Sequence, residues 1–227
     1  MNRIRIPDMG RFEASVEELE QKPLETGKIL FYGDSGFTRW SLKYGNRPLE
    51  EELPGRNGEL AVLNHGLGGS TTEELLYYYP RAVKPWKPKA LVFMTYLNDI
   101  GFGYSPEDVL DLQSRIFAYA RQDVPGIRIL ACDVRPTAKH LDDPVAMRGV
   151  LSKCLEYNEL LENYCAKHSD VTLVRHITSP LFFEDPADVG DYLKIRRDIF
   201  VEDAVHFNQQ GYDLYREFFL TELADLL

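Results

Sequence analysis

Five short apolar runs recur along the chain, and stretches with helical spacing separate them. Each run is bounded by Gly, Pro or charged residues, a pattern typical of strands that are buried on both faces. The predicted strands are Lys28 to Tyr32, Leu60 to Leu63, Ala90 to Thr95, Ile127 to Asp133 and Val171 to Val174. Strands that alternate with helices form a parallel sheet covered on both sides, so the sequence predicts an α/β fold with ligands at the carboxyl ends of its strands.

Two of the intervening helices have recognisable start signals. Ser70-Thr71-Thr72-Glu73 matches a capping box, in which Ser70 and Glu73 satisfy each other's backbone amides. Ser105-Pro106 predicts a second start, with proline at the first helical position. Helical spacing also predicts helices over 12–22, 148–167 and 209–226, and residues 176–200 read as a long irregular connection. We therefore expect a single domain over residues 1–227, with residues 1–27 as an N-terminal helical extension.

Composition excludes several classes of protein. The net charge of −10 and the pI near 5.0 disfavour binding to the phosphate backbone of nucleic acids. No apolar run is long enough for a signal peptide or a membrane span, so no membrane partner is expected and a cytoplasmic location is predicted. The three cysteines form no C-x-x-C pair and are expected to be reduced thiols. The oligomeric state is not indicated by the sequence.

Four polar or glycine-rich segments lie where loops of such a sheet would open. GDSG (33–36), NHGLGGST (64–71) and YLNDIGFG (96–103) follow the first three predicted strands, and EDAVHFN (202–208) lies in the final connection. Because the carboxyl ends of parallel strands meet at one edge of the sheet, we expect these segments to converge there.

Together these segments supply the groups that acyl transfer requires. The hydroxyl of Ser35 can act as a nucleophile, and the imidazole of His206 titrates near neutral pH and can accept its proton. Asp203 can hydrogen-bond the other ring nitrogen and orient it. The backbone amide of Gly69 and the side-chain amide of Asn98 are candidate donors to a developing oxyanion.

The same segments, in this order, resemble the SGNH (GDSL-type) hydrolase family. The resemblance rests on GDS at 33–35, N-x-G-x-G-G-S-T at 64–71, N-D at 98–99 and D-x-x-H at 203–206, followed by F-N-x-x-G-Y. It spans roughly residues 28–215. It implies a flavodoxin-like, three-layer α/β/α fold with a five-stranded parallel sheet, and no metal or organic cofactor. It also implies Ser35 as nucleophile, His206 as base, Asp203 as its partner, and Ser35, Gly69 and Asn98 as the oxyanion donors.

Three further residues are candidate substrate contacts. Tyr96 stands where that family often has glycine, two residues before Asn98, and would narrow or line the pocket. Asp34 and Arg135 are candidates from their positions beside predicted strand ends. Each has a structural alternative, since a carboxylate such as Asp34 stabilises a helix start and Arg135 can equally serve packing or the surface. Asp99 could be catalytic or could bond the amides of its own loop.

The sequence thus predicts a serine esterase that cleaves carboxylic esters through an acyl-enzyme on Ser35. Because no long hydrophobic lid sequence is present, the expected substrates are short-chain esters of small molecules or carbohydrates, including acetylated sugars. One alternative is a metal-dependent phosphoesterase with Asp34, Asn98, Asp99, Asp203 and His206 as ligands. Another is a carbohydrate-binding protein on the same scaffold, without catalysis.

Overall fold

The computed structural model describes residues 7–227 and contains one sheet of five parallel strands. The strand order is β2-β1-β3-β4-β5, which is the flavodoxin-like order. The strands are β1 (Ile29–Gly33), β2 (Val62–Gly66), β3 (Ala90–Met94), β4 (Arg128–Cys132) and β5 (Val171–Val174). The predicted α/β class and five-stranded parallel sheet are confirmed.

Four strands lie within one residue of their predicted bounds, whereas β2 is displaced toward the C-terminus. Its pairing with β1 begins at Val62 and continues through Asn64 and His65 to Gly66. The predicted strand ends at Leu63, before these two polar residues. Backbone pairing with β1 continues to Gly66. The strand accommodates His65 because its side chain is buried with Nδ1 2.7 Å from the carbonyl oxygen of Ala82.

Helices cover both faces of the sheet and give the predicted three layers. Side chains alternate along each strand, so Leu30 and Tyr32 join one core while Ile29 and Phe31 join the other. The helices are α1 (Glu13–Glu20), α2 (Ser35–Thr38), α3 (Leu49–Glu52), α4 (Thr72–Ala82), α5 (Leu97–Phe102), α6 (Pro106–Asp123), α7 (Pro144–Cys165) and α8 (Gln209–Glu222). The first core includes α1, α4, α6 and α7, and the second includes α2, α3 and α8.

Two helix starts differ from prediction. The capping box of α4 is formed by Thr71 and Glu74, one residue beyond the predicted pair of Ser70 and Glu73. Both pairs fit the motif, but Glu74 is buried and bound by Arg11, which fixes the register. Helix α7 begins four residues earlier than the predicted residue 148, because Asp143 caps it and Pro144 opens it.

The N-terminal segment packs against α4 as well as against the core. Phe12, Val16 and Leu19 join the first core, and the hydroxyl of Tyr78 donates to the carbonyl oxygen of Met9 at 2.6 Å. Residues 1–6 of the predicted extension lie outside the described residues. That the chain is a single domain with a helical extension stays a prediction.

The connection over residues 176–200 contains three short 3₁₀ turns and contributes to the second core. The turns are Pro180–Phe182, Pro186–Asp188 and Tyr192–Lys194. Phe182 and Phe183 are buried, and Phe183 forms an isolated antiparallel bridge with Ile195. This long segment is therefore held by packing on the sheet.

The capping register gives a test of stability. Thr71→Ala removes the hydroxyl that accepts from the Glu74 amide, and we expect the free energy of unfolding to fall by about 1 kcal/mol. Ser70→Ala is the matched control, because the buried Ser70 hydroxyl has no hydrogen-bond partner among the described residues. Urea unfolding measures both variants. A larger loss in Ser70→Ala than in Thr71→Ala would contradict the observed register.

Candidate active site

Three side chains from distant parts of the chain form one hydrogen-bonded line at the carboxyl edge of the sheet. The Nε2 atom of His206 lies 2.8 Å from the Oγ atom of Ser35. The Nδ1 atom of the same ring lies 2.6 Å from Oδ2 of Asp203. The structure thus brings together the three residues that the sequence selected as nucleophile, base and orienting carboxylate.

Ser35 is placed by a sharp turn from β1 into α2. Asp34 caps this short helix, and its Oδ1 accepts the amide of Gly36 at 2.9 Å. The turn depends on glycine on both sides of Ser35. A Cβ atom at Gly33 would lie 2.3 Å from the carbonyl oxygen of Met94, and one at Gly36 would lie 2.4 Å from the Met94 side chain. Larger residues would therefore push the serine away from β3.

A single carboxylate shapes the loop that carries His206. Oδ1 of Asp203 accepts the backbone amides of Val205 and His206, both at 2.9 Å. Ala204 adopts a left-handed φ of +57°, which closes the turn. Since Oδ2 binds the imidazole, Asp203 both folds its own loop and orients the ring.

The electrostatics favour a neutral imidazole beside an ionised carboxylate. Burial disfavours the charged form of Asp203, but hydrogen bonds from the His206 amide, the His206 ring and the Val205 amide outweigh it and lower its pKa to about 2. Burial lowers the pKa of His206 below its ordinary 6.5, although the hydrogen bond that the ring donates to Asp203 opposes this shift. The nearby positive charges of Arg39 and Arg135 lower that pKa further. His206 can therefore accept a proton near neutral pH.

The predicted oxyanion donors line the same cleft as Ser35 and His206. The cleft has a volume of about 470 Å³ and includes Gly69 and Asn98 in its wall. Gly69 has a φ of +84°, a conformation that suits glycine. The side-chain amide of Asn98 donates to the carbonyl oxygen of Ser70 at 3.0 Å, which ties the two loops together.

The N-terminal segment supports the Gly69 loop from outside the cleft. The guanidinium of Arg11 donates to the carbonyl oxygen of Gly69 at 2.7 Å and to Oε2 of Glu74 at 2.6 Å. Sequence reasoning did not select Arg11, because nothing local connects it with a loop 58 residues away.

Asp99 has the contacts of a structural carboxylate. It is fully buried, and its Oδ1 accepts the backbone amide of Thr72 at 2.8 Å. Its Oδ2 accepts from the hydroxyl of Thr95 at 3.1 Å and from the amide of Tyr96 at 3.2 Å. Burial raises the pKa of Asp99 to about 7, although these hydrogen bonds oppose the shift. Asp99 therefore joins the end of β3 to the start of α4.

The prediction that Tyr96 narrows or lines the pocket is wrong, because Tyr96 is not part of the cleft wall. Its side chain is fully buried, stacks on Tyr157 with ring centroids 4.2 Å apart, and donates its hydroxyl to the carbonyl oxygen of Lys153 at 2.8 Å. The reason is the φ of +107° at Tyr96, which turns the side chain toward α7. The hydrogen bond that the Tyr96 backbone amide donates to Asp99 helps to hold this conformation. Glycine adopts such a φ without strain.

The other two candidate substrate contacts lie in the cleft wall. Asp34 and Arg135 both line the cleft, with the Asp34 carboxylate also serving as the cap of α2. The cleft further includes Arg39 and Lys139, which sequence reasoning missed. Arg39 stands four residues after Ser35. On a helix this spacing places two side chains on the same face, so a helix predicted to begin at Ser35 could have indicated Arg39 as a cleft residue.

The five proposed metal ligands do not form a cluster. Across residues 7–227, no group of three or more His, Cys, Asp or Glu side chains is arranged to hold a metal ion. Asp99 and Asp203 already accept hydrogen bonds from protein donors at both oxygens. The geometry gives no support to the phosphoesterase alternative.

A family model matches residues 31–214, which includes all four segments described above. The chain belongs to the GDSL-like lipase/acylhydrolase family. This agrees with the resemblance drawn from the sequence, and the family points to ester hydrolysis. A comparison with curated protein sequences finds no match.

Solved structures share the fold. A GDSL-like lipase from Bacteroides thetaiotaomicron is 17% identical, with a TM-score of 0.70 over 97% of this chain and 98% of that one. A member of the lipolytic G-D-S-L family from Veillonella parvula is 19% identical, with a TM-score of 0.63 over 89% and 100%. A mutant acetyl-xylooligosaccharide esterase from Geobacillus stearmophilus is 17% identical, with a TM-score of 0.62 over 89% and 96%.

At this level of identity, the similarity establishes the three-layer fold of the GDSL-type hydrolases. No helix within residues 7–227 has the length and apolar character needed to cross a membrane.

The electrostatic coupling in the cleft can be tested by titration. Asp203 raises the pKa of His206, whereas burial and two arginines lower it. Asp203→Asn removes the charge, so we expect the pKa of His206 to fall further. NMR titration of the imidazole carbons measures this shift, with the surface variant Asp213→Asn as control. An unchanged or raised pKa in Asp203→Asn would refute the assigned contact.

Proposed function

We propose that this chain is a serine esterase that hydrolyses carboxylic esters through an acyl-enzyme on Ser35. The observation that carries the proposal is the hydrogen-bonded line from Ser35 through His206 to Asp203, at 2.8 and 2.6 Å, in a cleft that also holds Gly69 and Asn98. This is the arrangement that activates a hydroxyl nucleophile.

In the acylation step, Oγ of Ser35 attacks the ester carbonyl carbon while Nε2 of His206 takes the hydroxyl proton. Negative charge develops on the carbonyl oxygen, and the amides of Ser35 and Gly69 with the Asn98 side chain donate to it. The imidazolium is stabilised by Asp203, which stays ionised because its pKa is about 2. The imidazolium then protonates the leaving alcohol, the ester C–O bond breaks, and the acyl group remains on Ser35.

In the deacylation step, a water molecule replaces the alcohol. His206 takes a proton from this water, whose oxygen attacks the acyl carbon, and the same donors hold the second oxyanion. Collapse returns the proton to Oγ of Ser35 and releases the carboxylic acid. Each turnover therefore converts one ester and one water into an acid and an alcohol, with no other reactant.

Short-chain esters, including acetylated carbohydrates, are the proposed substrates. Most of the side chains that line the cleft are charged or polar, and Tyr44, Leu97 and Val205 are its larger apolar members. Such a surface suits a hydroxylated alcohol better than a long acyl chain. One structure of the same fold is an acetyl-xylooligosaccharide esterase, which is consistent with this choice.

Replacement of the nucleophile tests the mechanism. Ser35→Ala should lower the rate of p-nitrophenyl acetate hydrolysis by at least about a thousandfold, because no other group in the line can form the acyl-enzyme. Ser114→Ala, which changes a half-buried serine on α6 outside the cleft, is the control and should keep the wild-type rate. Wild-type activity in Ser35→Ala would exclude the mechanism.

Covalent labelling separates this proposal from a non-catalytic binding protein. A fluorophosphonate should label Ser35 in the wild type and fail to label Ser35→Ala. Activity should also persist after treatment with EDTA, because the proposed chemistry uses only protein groups. Loss of activity with EDTA, restored by a divalent cation, would favour the metal-dependent alternative.

The pH profile follows from the state of His206. Only the neutral imidazole accepts the serine proton, and its fraction grows as pH rises through its pKa. Since that pKa lies below 6.5, kcat/KM should rise with a midpoint below pH 6.5 and then level off through pH 8. A midpoint above 7 would contradict the lowered pKa. The profile is measured with an ester whose own reactivity is constant over this range.

A further inference from the structure

The cleft around Ser35 gathers positive charge in a chain of net charge −10. Three cationic side chains line it, namely Arg39, Arg135 and Lys139. Two carboxylates accompany them, those of Asp34 and Asp203. Which of these charges have partners decides what the cleft can bind.

Arg39 and the two carboxylates are already engaged. Nη1 of Arg39 lies 3.5 Å from Oδ2 of Asp203, and its guanidinium lies over the Tyr44 ring. Asp203 also binds His206, as described above. The positive charge of Arg135 opposes the rise that burial causes in the pKa of Asp34. Oδ1 of Asp34 accepts the backbone amide of Gly36.

Arg135, in contrast, is a buried cation with an unused donor. Only 5% of the residue is exposed. Its Nη2 donates to the carbonyl oxygen of Val205 at 2.8 Å, and its guanidinium lies 4.4 Å from the centroid of the Phe207 ring. Its Nη1 is buried and has no hydrogen-bond partner among the described residues. A buried charged donor without an acceptor is unfavourable, and the oxygen of an anionic ligand would satisfy it.

Lys139 stands in the same wall, four residues after Arg135. It is exposed and forms no ion pair within residues 7–227. A mobile ammonium on the surface attracts an anion over a distance, whereas a planar guanidinium fixes a carboxylate-sized anion through directed hydrogen bonds. The two cations are therefore complementary in a single anion site.

We propose that the ester hydrolysed at Ser35 carries an anionic group of carboxylate size, which Arg135 and Lys139 bind. The proposal rests on the esterase function and adds the charge of its substrate. Arg39 contributes positive potential while it holds Asp203. The anion can belong to the alcohol part or to the acyl part of the ester, and the two give different substrate preferences.

Two matched pairs of esters test the proposal in the full chain. For the alcohol part, 4-acetoxybenzoate is compared with its neutral methyl ester. For the acyl part, monoethyl glutarate is compared with ethyl pentanoate. Each kcat/KM is divided by the rate of alkaline hydrolysis of the same bond, which removes differences in intrinsic reactivity. We expect the wild type to prefer the anionic member of one pair by about tenfold, the effect of one good charged hydrogen bond.

The variants assign that preference to residues. Arg135→Gln and Lys139→Gln should each reduce the preference, which is the ratio of the corrected kcat/KM on the anionic ester to that on its neutral partner, to less than about threefold. Arg135→Lys should retain part of the preference. Lys167→Gln, an exposed lysine in another part of the chain, should retain all of it. Because Lys139 is exposed, its variant is expected to fold even if Arg135→Gln does not.

Three results would overturn the proposal, and they separate it from the esterase function. Hydrolysis of the neutral esters with no preference in either pair would leave the esterase standing and refute the anion site. An equal loss on neutral and anionic esters in Arg135→Gln, with Lys139→Gln unchanged, would give Arg135 a structural role instead. No hydrolysis of any ester and no fluorophosphonate labelling of Ser35 would refute both.

Discussion

The pairing of β1 between β2 and β3 is the constraint on which the cleft depends. Gly33, the last residue of β1, pairs with Gly66 on one side and with Met94 on the other. The three strands therefore end at the same level, and the loops that follow them must share one edge of the sheet. A side chain at Gly33 would collide with the Met94 backbone. The close approach of these strands sets where Ser35 emerges.

Short carboxylates then organise the loops at this edge. Asp34 caps α2, Asp99 joins the end of β3 to α4, and Asp203 folds the turn that carries His206. Each of them accepts backbone amides that a loop would otherwise leave unpaired. The pKa values of Asp99 and Asp203 are nevertheless shifted in opposite directions. The fully buried Asp99 has a raised pKa, whereas three hydrogen-bond donors, among them the imidazole, lower the pKa of Asp203.

Two opposing influences act on the pKa of His206. Asp203 orients the ring and favours its protonated form, while burial and the arginines favour the neutral form. The neutral ring is the form that can accept a proton, as the proposed esterase mechanism requires, and in that mechanism the ionised Asp203 stabilises the resulting cation. The same arginines add positive charge to the cleft, so the charges that favour a neutral His206 also contribute to the proposed preference for an anionic ester.

The sequence by itself determined the sheet, the layers and the Ser35, His206 and Asp203 set. Apolar runs and turn residues are local signals, and the four segments occur in an order that a parallel sheet brings to one edge. Tertiary structure alone decided where the Tyr96 side chain points. That direction follows from the positive φ of Tyr96 and from the hydrogen bond between its backbone amide and Asp99. The tertiary structure also decided the capping register of α4, since Arg11 selects Glu74 over Glu73 from 63 residues away. Tertiary structure also decided that Arg135 and Lys139 lie in the same cleft as Ser35. Such contacts between distant residues depend on packing, which local sequence patterns do not predict.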